Sequence, residues 1–573
     1  MAPKAVLVGR GAWRRVAAPR GAFRGAPRRS RGATPKAPPV ATSGDYTAVS
    51  GMADVRSPWS SYAQGCSPHH RLRDARLTRH YCPPPFNASS GTTASACATP
   101  CGKWGSRGGV LHYAPHLRPQ PINQPNELIS AACFMNDSSA ALCCFGGCSG
   151  HGRCSQGLCV CAPGWRGLDC AEDARTADGA SSSDSGCAAP GFVYVFDPPP
   201  SLGLEHMARR QYLGSLYDNE PHFLRKLLAA KCVRTTDPAR ARLFYVPTFA
   251  YALWGNVADA LQDQWTMGRL AAWLHNQPAF RGLLHSTDDG GMAAALSRLM
   301  FFFSADRGAC FAAQLDRPRP TFLVNFGLQV PMTRFSIPET YTGCKNSPRC
   351  SVKRSEQPCF VPGRDVPLPP YHAWTPLSDL PARSRSAWLC ELFFAGQKRA
   401  WWGQQYRGMT YSQGVRQAAF AHYANRTGWC VSRWVTKVLS VQRWQRSRFC
   451  LAPTGGGFGD RLTQAMRYGC VPLIIQPNVT QPLEDILPYE TFSLRVGLDD
   501  VPRLPEILGA VSRSQHASLL RGVRHYSPLF NWHTTHGQAF DAVAYTLCRR
   551  ANRPACGHLA PLALRSSFLN LSS

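Results

Sequence analysis

Between Arg448 and Gln476 the chain runs through an apolar stretch (Phe449 to Ala452), four glycines (Gly455, Gly456, Gly457 and Gly459), an amphipathic stretch from about Asp460 to Tyr468, and a second apolar stretch (Val471 to Ile475). That order specifies a strand, a loop, a helix and a further strand, the repeating unit of a parallel sheet. Glycines in the loop let main-chain amides approach a ligand closely, and the amides at the following helix N-terminus sit at the positive end of its dipole. Arg461, one residue into the helix, adds a fixed charge able to grip two phosphate oxygens at once. The glycine spacing matches neither a dinucleotide-binding fingerprint nor a Walker loop. By itself the unit therefore reads two ways, as a cradle for a diphosphate or as a tight turn between a packed strand and helix.

The alternation extends upstream. From Gly191, a strand at Phe192 to Phe196 is followed by helical patterns at Glu220 to Lys231, Ala258 to His275 and Met292 to Met300. These alternate with apolar strands at Leu243 to Val246, Phe301 to Phe303 and Thr321 to Asn325. A proline-rich crossing, Val366 to Pro376, leads to a second set: Leu389 to Ala395, Gln413 to Tyr423, Arg433 to Arg446 and the glycine-loop unit. The expected organisation is two doubly wound halves, residues 191–375 and 376–535, with ligands held where the strands end. A tail, residues 536–573, is expected to pack across the back.

Residues 1–60 are Arg, Ala, Gly, Pro and Ser without periodicity and are expected to be disordered. The formal net charge of +30 would ordinarily favour nucleic acid. Ten Lys and Arg with no acid fall between Met1 and Gly44, however, and the remainder has neither a dominant basic run nor a nucleic-acid-binding module. Anionic sugar nucleotides, acidic polysaccharides or membrane headgroups are the better partners. Thirteen of the 24 cysteines lie between Cys66 and Cys187, and residues 61–143 form a Cys- and Pro-rich irregular segment. Such density marks an oxidising, extracytoplasmic compartment. Asn87, Asn136, Asn425, Asn478 and Asn570 each begin an N-glycosylation sequon.

Over residues 144–170 the cysteines fall as Cys144-x3-Cys148-x5-Cys154-x4-Cys159-x-Cys161-x8-Cys170, with Gly164-Trp165-x-Gly167 in the last loop. The spacing resembles an epidermal-growth-factor-like module, which implies pairs Cys144 to Cys154, Cys148 to Cys159 and Cys161 to Cys170, with Cys143 able to replace Cys144. Zinc binding competes, because Cys159, Cys161 and His151 could ligate metal, although a one-residue spacer suits a tetrahedral hairpin poorly. Residues 171–190 read as a flexible linker, which makes the module a stalk or spacer.

Several segments together resemble the exostosin family of glycosyltransferases. They are Phe449 to Pro453, Gly469 to Ile475 and Gln481 to Pro488, preceded in the same order by Thr236 to Pro247, Leu299 to Ser304, Pro362 to Pro369 and Trp388 to Gly396. The likeness runs from about Gly191 to Trp532. Two departures are Arg240 and Arg242 where the family has acids, and Asp460 where it often has a small residue. The resemblance implies a GT-B-like α/β fold of two facing Rossmann-type halves. It implies inverting transfer from a UDP-sugar donor to a polysaccharide or glycoprotein glycan acceptor. It also implies a Golgi membrane enzyme with a lumenal catalytic region, as a homo- or hetero-oligomer. No run of about 20 apolar residues, the length a membrane span needs, precedes Cys66. The basic opening resembles an organelle transit peptide or a plain tail, and the native start is expected to lie elsewhere.

Transfer from a nucleoside-diphosphate sugar requires that the leaving diphosphate be stabilised and that the acceptor hydroxyl lose a proton. The chain contains no Asp-x-Asp pair to hold a metal. The glycine loop (Gly455, Gly456, Gly457, Gly459), the helix N-terminus and Arg461 are therefore expected to do this without a metal or other cofactor. Glu484 and Asp485 are candidates for the donor side, Glu484 for ribose hydroxyls, with helix capping or a surface pair as the competing role. Asp306, just past a strand, is the candidate base. Trp401, Trp402, Tyr406 and Tyr411 could stack on a sugar or base but suit core packing better. Cys450 and Cys470 are expected to pack in their strands and not to react. The competing reading of the whole chain is a non-catalytic glycan-binding or adhesion protein working through its disulfide module.

Overall fold

The computed structural model describes residues 144–155, 158–174, 187–199, 202, 216–250, 269–285, 291–305, 308–311, 319–330, 358–374, 388–397, 411–455, 457–552 and 556–569. Asp306, Gly456, Asn87, Asn136, Asn570, Trp401, Trp402 and Tyr406 lie outside them, as do residues 1–143.

The N-terminal described element is the cysteine-rich module: β1 (Gly152–Ser155) pairs antiparallel with β2 (Leu158–Cys161), and β3 (Trp165–Arg166) with β4 (Glu172–Asp173). Cys148 is bonded to Cys159 and Cys161 to Cys170, as the epidermal-growth-factor pattern implies. Cys144 is also disulfide-bonded, while the side chain of Cys154 lies outside the described residues. The sulfurs of Cys144, Cys148 and Cys159 cluster, but as disulfides they cannot serve as a zinc set.

The module is no free spacer. Phe145 and Leu168 enter the same core as Phe192, Leu228 and Val233 of the following region. Arg234 reaches back to grip Asp169 with both terminal nitrogens, at 2.5 and 2.9 Å, and lies 3.7 Å from Glu172. All three side chains are buried. Burial pushes the Glu172 carboxyl up to about 7 against the pull of Arg234 and Arg166. A disulfide from Cys187 to Cys232 further ties the connecting segment to the α/β region that follows.

That region contains two parallel sheets. The first is built from β5 (Val193–Val195), β6 (Arg234–Thr235), β7 (Leu243–Val246), β8 (Leu299–Phe303), β9 (Thr321–Val324) and β11 (Val366–Pro367), side by side as β6-β5-β7-β8-β9-β11. The second contains β12 (Cys390–Ala395), β13 (Cys430–Ser432), β14 (Ser447–Pro453), β15 (Val471–Ile475) and β17 (Leu494–Arg495), as β13-β12-β14-β15-β17. Every neighbouring pair is parallel. Numbered within each sheet, the first follows the order 2-1-3-4-5-6 and the second 2-1-3-4-5, so each has one point, between its first and third strands, where successive crossovers diverge. Ligands of open α/β sheets gather at such a point, beyond the strand carboxyl ends.

Strand composition explains the layering. In the first sheet Val193, Tyr245, Met300 and Phe302 face one core while Phe244, Phe301, Phe303 and Val324 face another. Strands apolar on both faces must be covered on both. Helices α1 (Asn219–Ala229), α2 (Pro278–His285) and α3 (Gly291–Ser297) belong to this half. Helices α4 (Val415–Tyr423), α5 (Lys437–Arg446), α6 (Arg461–Tyr468), α7 (Leu504–Gly509) and α8 (Arg513–Tyr526) belong to the second. The tail helix α9 (Ala539–Arg550) crosses back, and Phe540 packs 5.9 Å from Phe223 of α1. A short ladder of β10 (Gly327–Leu328) with β16 (Val479–Thr480) joins the halves directly.

Cys450 and Cys470 correct the expectation drawn from the sequence. They are not two packed thiols but one buried disulfide linking β14 to β15, and Cys390–Cys430 similarly links β12 to β13. Among the described residues no helix is long and apolar enough to cross a membrane.

Candidate active site

The loop after β14 lies at the junction of the halves. Phe458, Gly459, Leu462 and Thr463 line a small gap there with Asn325, Phe326 and Pro370 of the first half. Phe458 anchors the loop, edge-on to Tyr217 at 5.6 Å and packed with Phe326 and Leu328. Part of the glycine cluster serves the turn itself. The Gly455 amide donates to the Gly457 carbonyl at 3.1 Å, and the Gly455 carbonyl accepts from Ser412 at 2.9 Å. A Cβ on Gly459 would stand 2.1 Å from the Pro453 carbonyl oxygen, so no larger residue fits there. The turn reading of the loop is thus met: the glycines close a tight turn that places the N-terminus of α6 at the junction of the halves.

Asp460 occupies the N-cap position of α6, yet its side chain caps no main-chain amide. It lies 3.3 Å from Nη1 of Arg461 and accepts from the Gln464 side chain. Burial alone would raise its carboxyl, but Arg461 and the Gln464 side chain outweigh it and hold it below the usual range. An acid beside a helix N-terminus would ordinarily bond its first-turn amides or repel an anion there; here Asp460 makes no bond to those amides.

Arg461 is not alone. Its Nη2 donates to the Ala395 carbonyl at 3.1 Å, at the end of β12. Arg416, near the start of α4, donates from Nε to the Thr454 carbonyl at 3.0 Å, just past β14. Between them lies Gly396: a Cβ there would meet the Phe394 ring at 3.0 Å, with Arg416 Nη1 and Arg461 Nη2 at ordinary contact distances of 3.5 and 3.6 Å. Two guanidinium groups therefore approach Gly396 at the strand ends of the second sheet. Buried beside them, Thr454 Oγ1 and Arg461 Nε have no hydrogen-bond partner.

Sequence reasoning found Arg461 and missed Arg416 and Gly396. The available signal was Arg416 itself, a base on the buried stripe of α4 with Ala419 and Tyr423, where an ordinary amphipathic helix carries an apolar residue. Glu484 and Asp485 are each held in an ion pair. Glu484 receives Arg495 at 2.6 Å and the Gln481 amide at 2.5 Å, and Asp485 receives Arg550 at 3.2 Å. Asn425 and Asn478 are exposed.

Across the junction, the first half presents a different chemistry. Buried Glu220 accepts from the Tyr245 hydroxyl at 3.2 Å and from the amides of Thr248 and Phe249 at 3.2 and 3.0 Å, and burial raises its carboxyl to about 7. Asn219 donates to Asn325 and to the Pro369 carbonyl. His372, on the crossing between the halves, has its Nε2 4.0 Å from Asp460. Burial lowers that imidazole to about 4, so it is neutral at physiological pH.

Comparison with known proteins bears on the identity of the two regions. A model of the exostosin GT47 domain matches residues 188–511, and one of a teneurin-like EGF domain matches residues 144–173. A "Probable glucuronosyltransferase" of Oryza sativa subsp. japonica is 24% identical over 383 residues, covering 64% of this chain and 82% of that protein. A "Probable glucuronoxylan glucuronosyltransferase" of Arabidopsis thaliana is 25% identical over 362 residues, 59% of this chain and 67% of its own. A "Probable glycosyltransferase" of the same plant is 32% identical over 136 residues, 23% and 28% of the two chains.

Proposed function

The chain belongs to the exostosin GT47 family and is a glycosyltransferase, and on that premise we propose that it transfers a sugar from a UDP-sugar to a polysaccharide or glycoprotein glycan, with inversion and without a metal. The observation that carries this reading is the pair of guanidinium groups, Arg416 and Arg461, meeting at Gly396 beside an uncapped helix N-terminus. A departing diphosphate gains charge as its bond to the anomeric carbon breaks. Fixed donors already in place stabilise that charge without reorganising. The names of the relatives favour glucuronic acid as the transferred sugar.

The halves divide the work as a GT-B arrangement would: the second holds the donor, and the first, rich in buried neutral and acidic groups, faces the acceptor. Asp306, three residues past β8, is the proposed base that takes the acceptor's proton, after which the acceptor oxygen bonds to the anomeric carbon from the face opposite the diphosphate. Glu484 and Asp485 would act on the donor side only after exchanging Arg495 and Arg550 for ligand. The disulfides support a secretory-pathway location, for which the Golgi lumen is the proposal.

Arg461→Ala tests the donor site. UDP affinity by titration calorimetry should fall roughly 10- to 150-fold, the worth of a charged hydrogen bond, and unchanged affinity would refute the assignment. Turnover should persist in excess EDTA; complete loss restored by Mn²⁺ would show that a metal shares the diphosphate.

A further inference from the structure

Trp434 is 78% exposed, an unusual condition for an indole in a chain whose other large side chains are mostly packed. Its position is specific. It follows the carboxyl end of β13 by two residues, and β13 runs beside β12 with Ser432 opposite Ala395. The Gly396 amide donates to the Ser432 carbonyl at 3.1 Å, so the strand that carries Trp434 is bonded to the residue on which Arg416 and Arg461 converge. Val435 turns inward against the core of Phe393 and Trp444, and Thr436 caps α5 by accepting from the Leu439 amide. Flanked by these two fixed residues, Trp434 projects from a turn that is itself anchored.

We propose that Trp434 is the stacking platform for the nucleobase of the donor, an inference that rests on the diphosphate site described above. From the loop after β14, across the end of β12, to the end of β13 is two strand spacings, roughly 10 Å. A nucleotide laid over a switch point runs along this direction, its phosphates at the helix N-terminus and its nucleoside toward the neighbouring strand ends. A base separated from its terminal phosphate by one phosphate and a ribose covers about that span. Arg433, exposed next to the indole, adds positive charge along the same path. An indole face accepts any base by stacking, so the platform contributes affinity, and hydrogen bonds elsewhere would set the base identity.

The test compares two ligands on the full chain by titration calorimetry. Inorganic pyrophosphate reports the guanidinium pair alone; UDP reports that pair plus the platform. Trp434→Ala should weaken UDP about 5- to 150-fold, the range for loss of one base stack, leave pyrophosphate within about twofold, and Trp434→Phe should recover most of the UDP affinity. Equal weakening of both ligands would assign the indole to the fold, and unchanged UDP affinity with a raised acceptor KM would assign it to the glycan; either overturns the proposal. Wild-type chain that binds neither ligand would instead defeat the diphosphate site.

Discussion

Arginines are buried in both halves, but in different settings. In the first half Arg234 is matched by Asp169 and Glu172, and Arg319 by Asp365 at 2.6 Å, each inside the packed interior. In the second, Arg416 and Arg461 donate to the main-chain carbonyls of Thr454 and Ala395, and the described carboxylate beside them is Asp460. All four donate to main-chain carbonyls, and Arg461 has a carboxylate 3.3 Å away as well, so what separates the pairs is place: Arg234 and Arg319 lie against interior carboxylates, while Arg416 and Arg461 lie at the strand ends of the second sheet.

The largest expected effect comes from breaking the neutralised set. Arg234→Ala strands Asp169 and Glu172 in the interior and should cost about 3–5 kcal/mol of stability, seen as a lower denaturation midpoint, with UDP affinity per folded molecule unchanged. Arg416→Ala should do the converse. It should weaken UDP by about 1.5–3 kcal/mol with a smaller effect on stability, and a variant that lost stability but bound UDP normally would erase the distinction between the halves.

The smallest effect sharpens the contrast at Glu220. Its carboxyl rises from 4.5 to about 7 on folding because burial disfavours the charge. The folded state therefore holds more protons than the unfolded one between those values, and stability falls as pH rises through that window. Glu220→Gln should flatten this part of a plot of melting temperature against pH without altering UDP binding. An unchanged slope would mean that Glu220 is ionised in the folded chain throughout.

Much of the architecture could be read from residue order, because parallel strands buried on two faces are continuous apolar runs and the helices between them are amphipathic. Phe301 to Phe303, Leu389 to Ala395 and Val471 to Ile475 all form strands within a residue or two of expectation. The site was half legible. Arg461 follows its glycine loop directly, but Arg416 lies 45 residues earlier in the sequence, and only the adjacency of β12 and β14 brings it near. Charge pairing was harder still. Nothing local to Glu484 announces Arg495, and nothing near Cys450 or Cys470 announces their bond, since both depend on which strands become neighbours.

The grip of Arg234 on the small cysteine-rich module has a consequence for dividing the chain. Such modules are commonly thought of as interchangeable cassettes, gained or lost between genes without disturbing the adjoining domain. Here excision would leave an orphaned cation in the interior of the transferase and bare the apolar surface around Leu228 and Val233. A chain cut back to the transferase alone should therefore be less stable than the whole, because Arg234 would lose both its carboxylates.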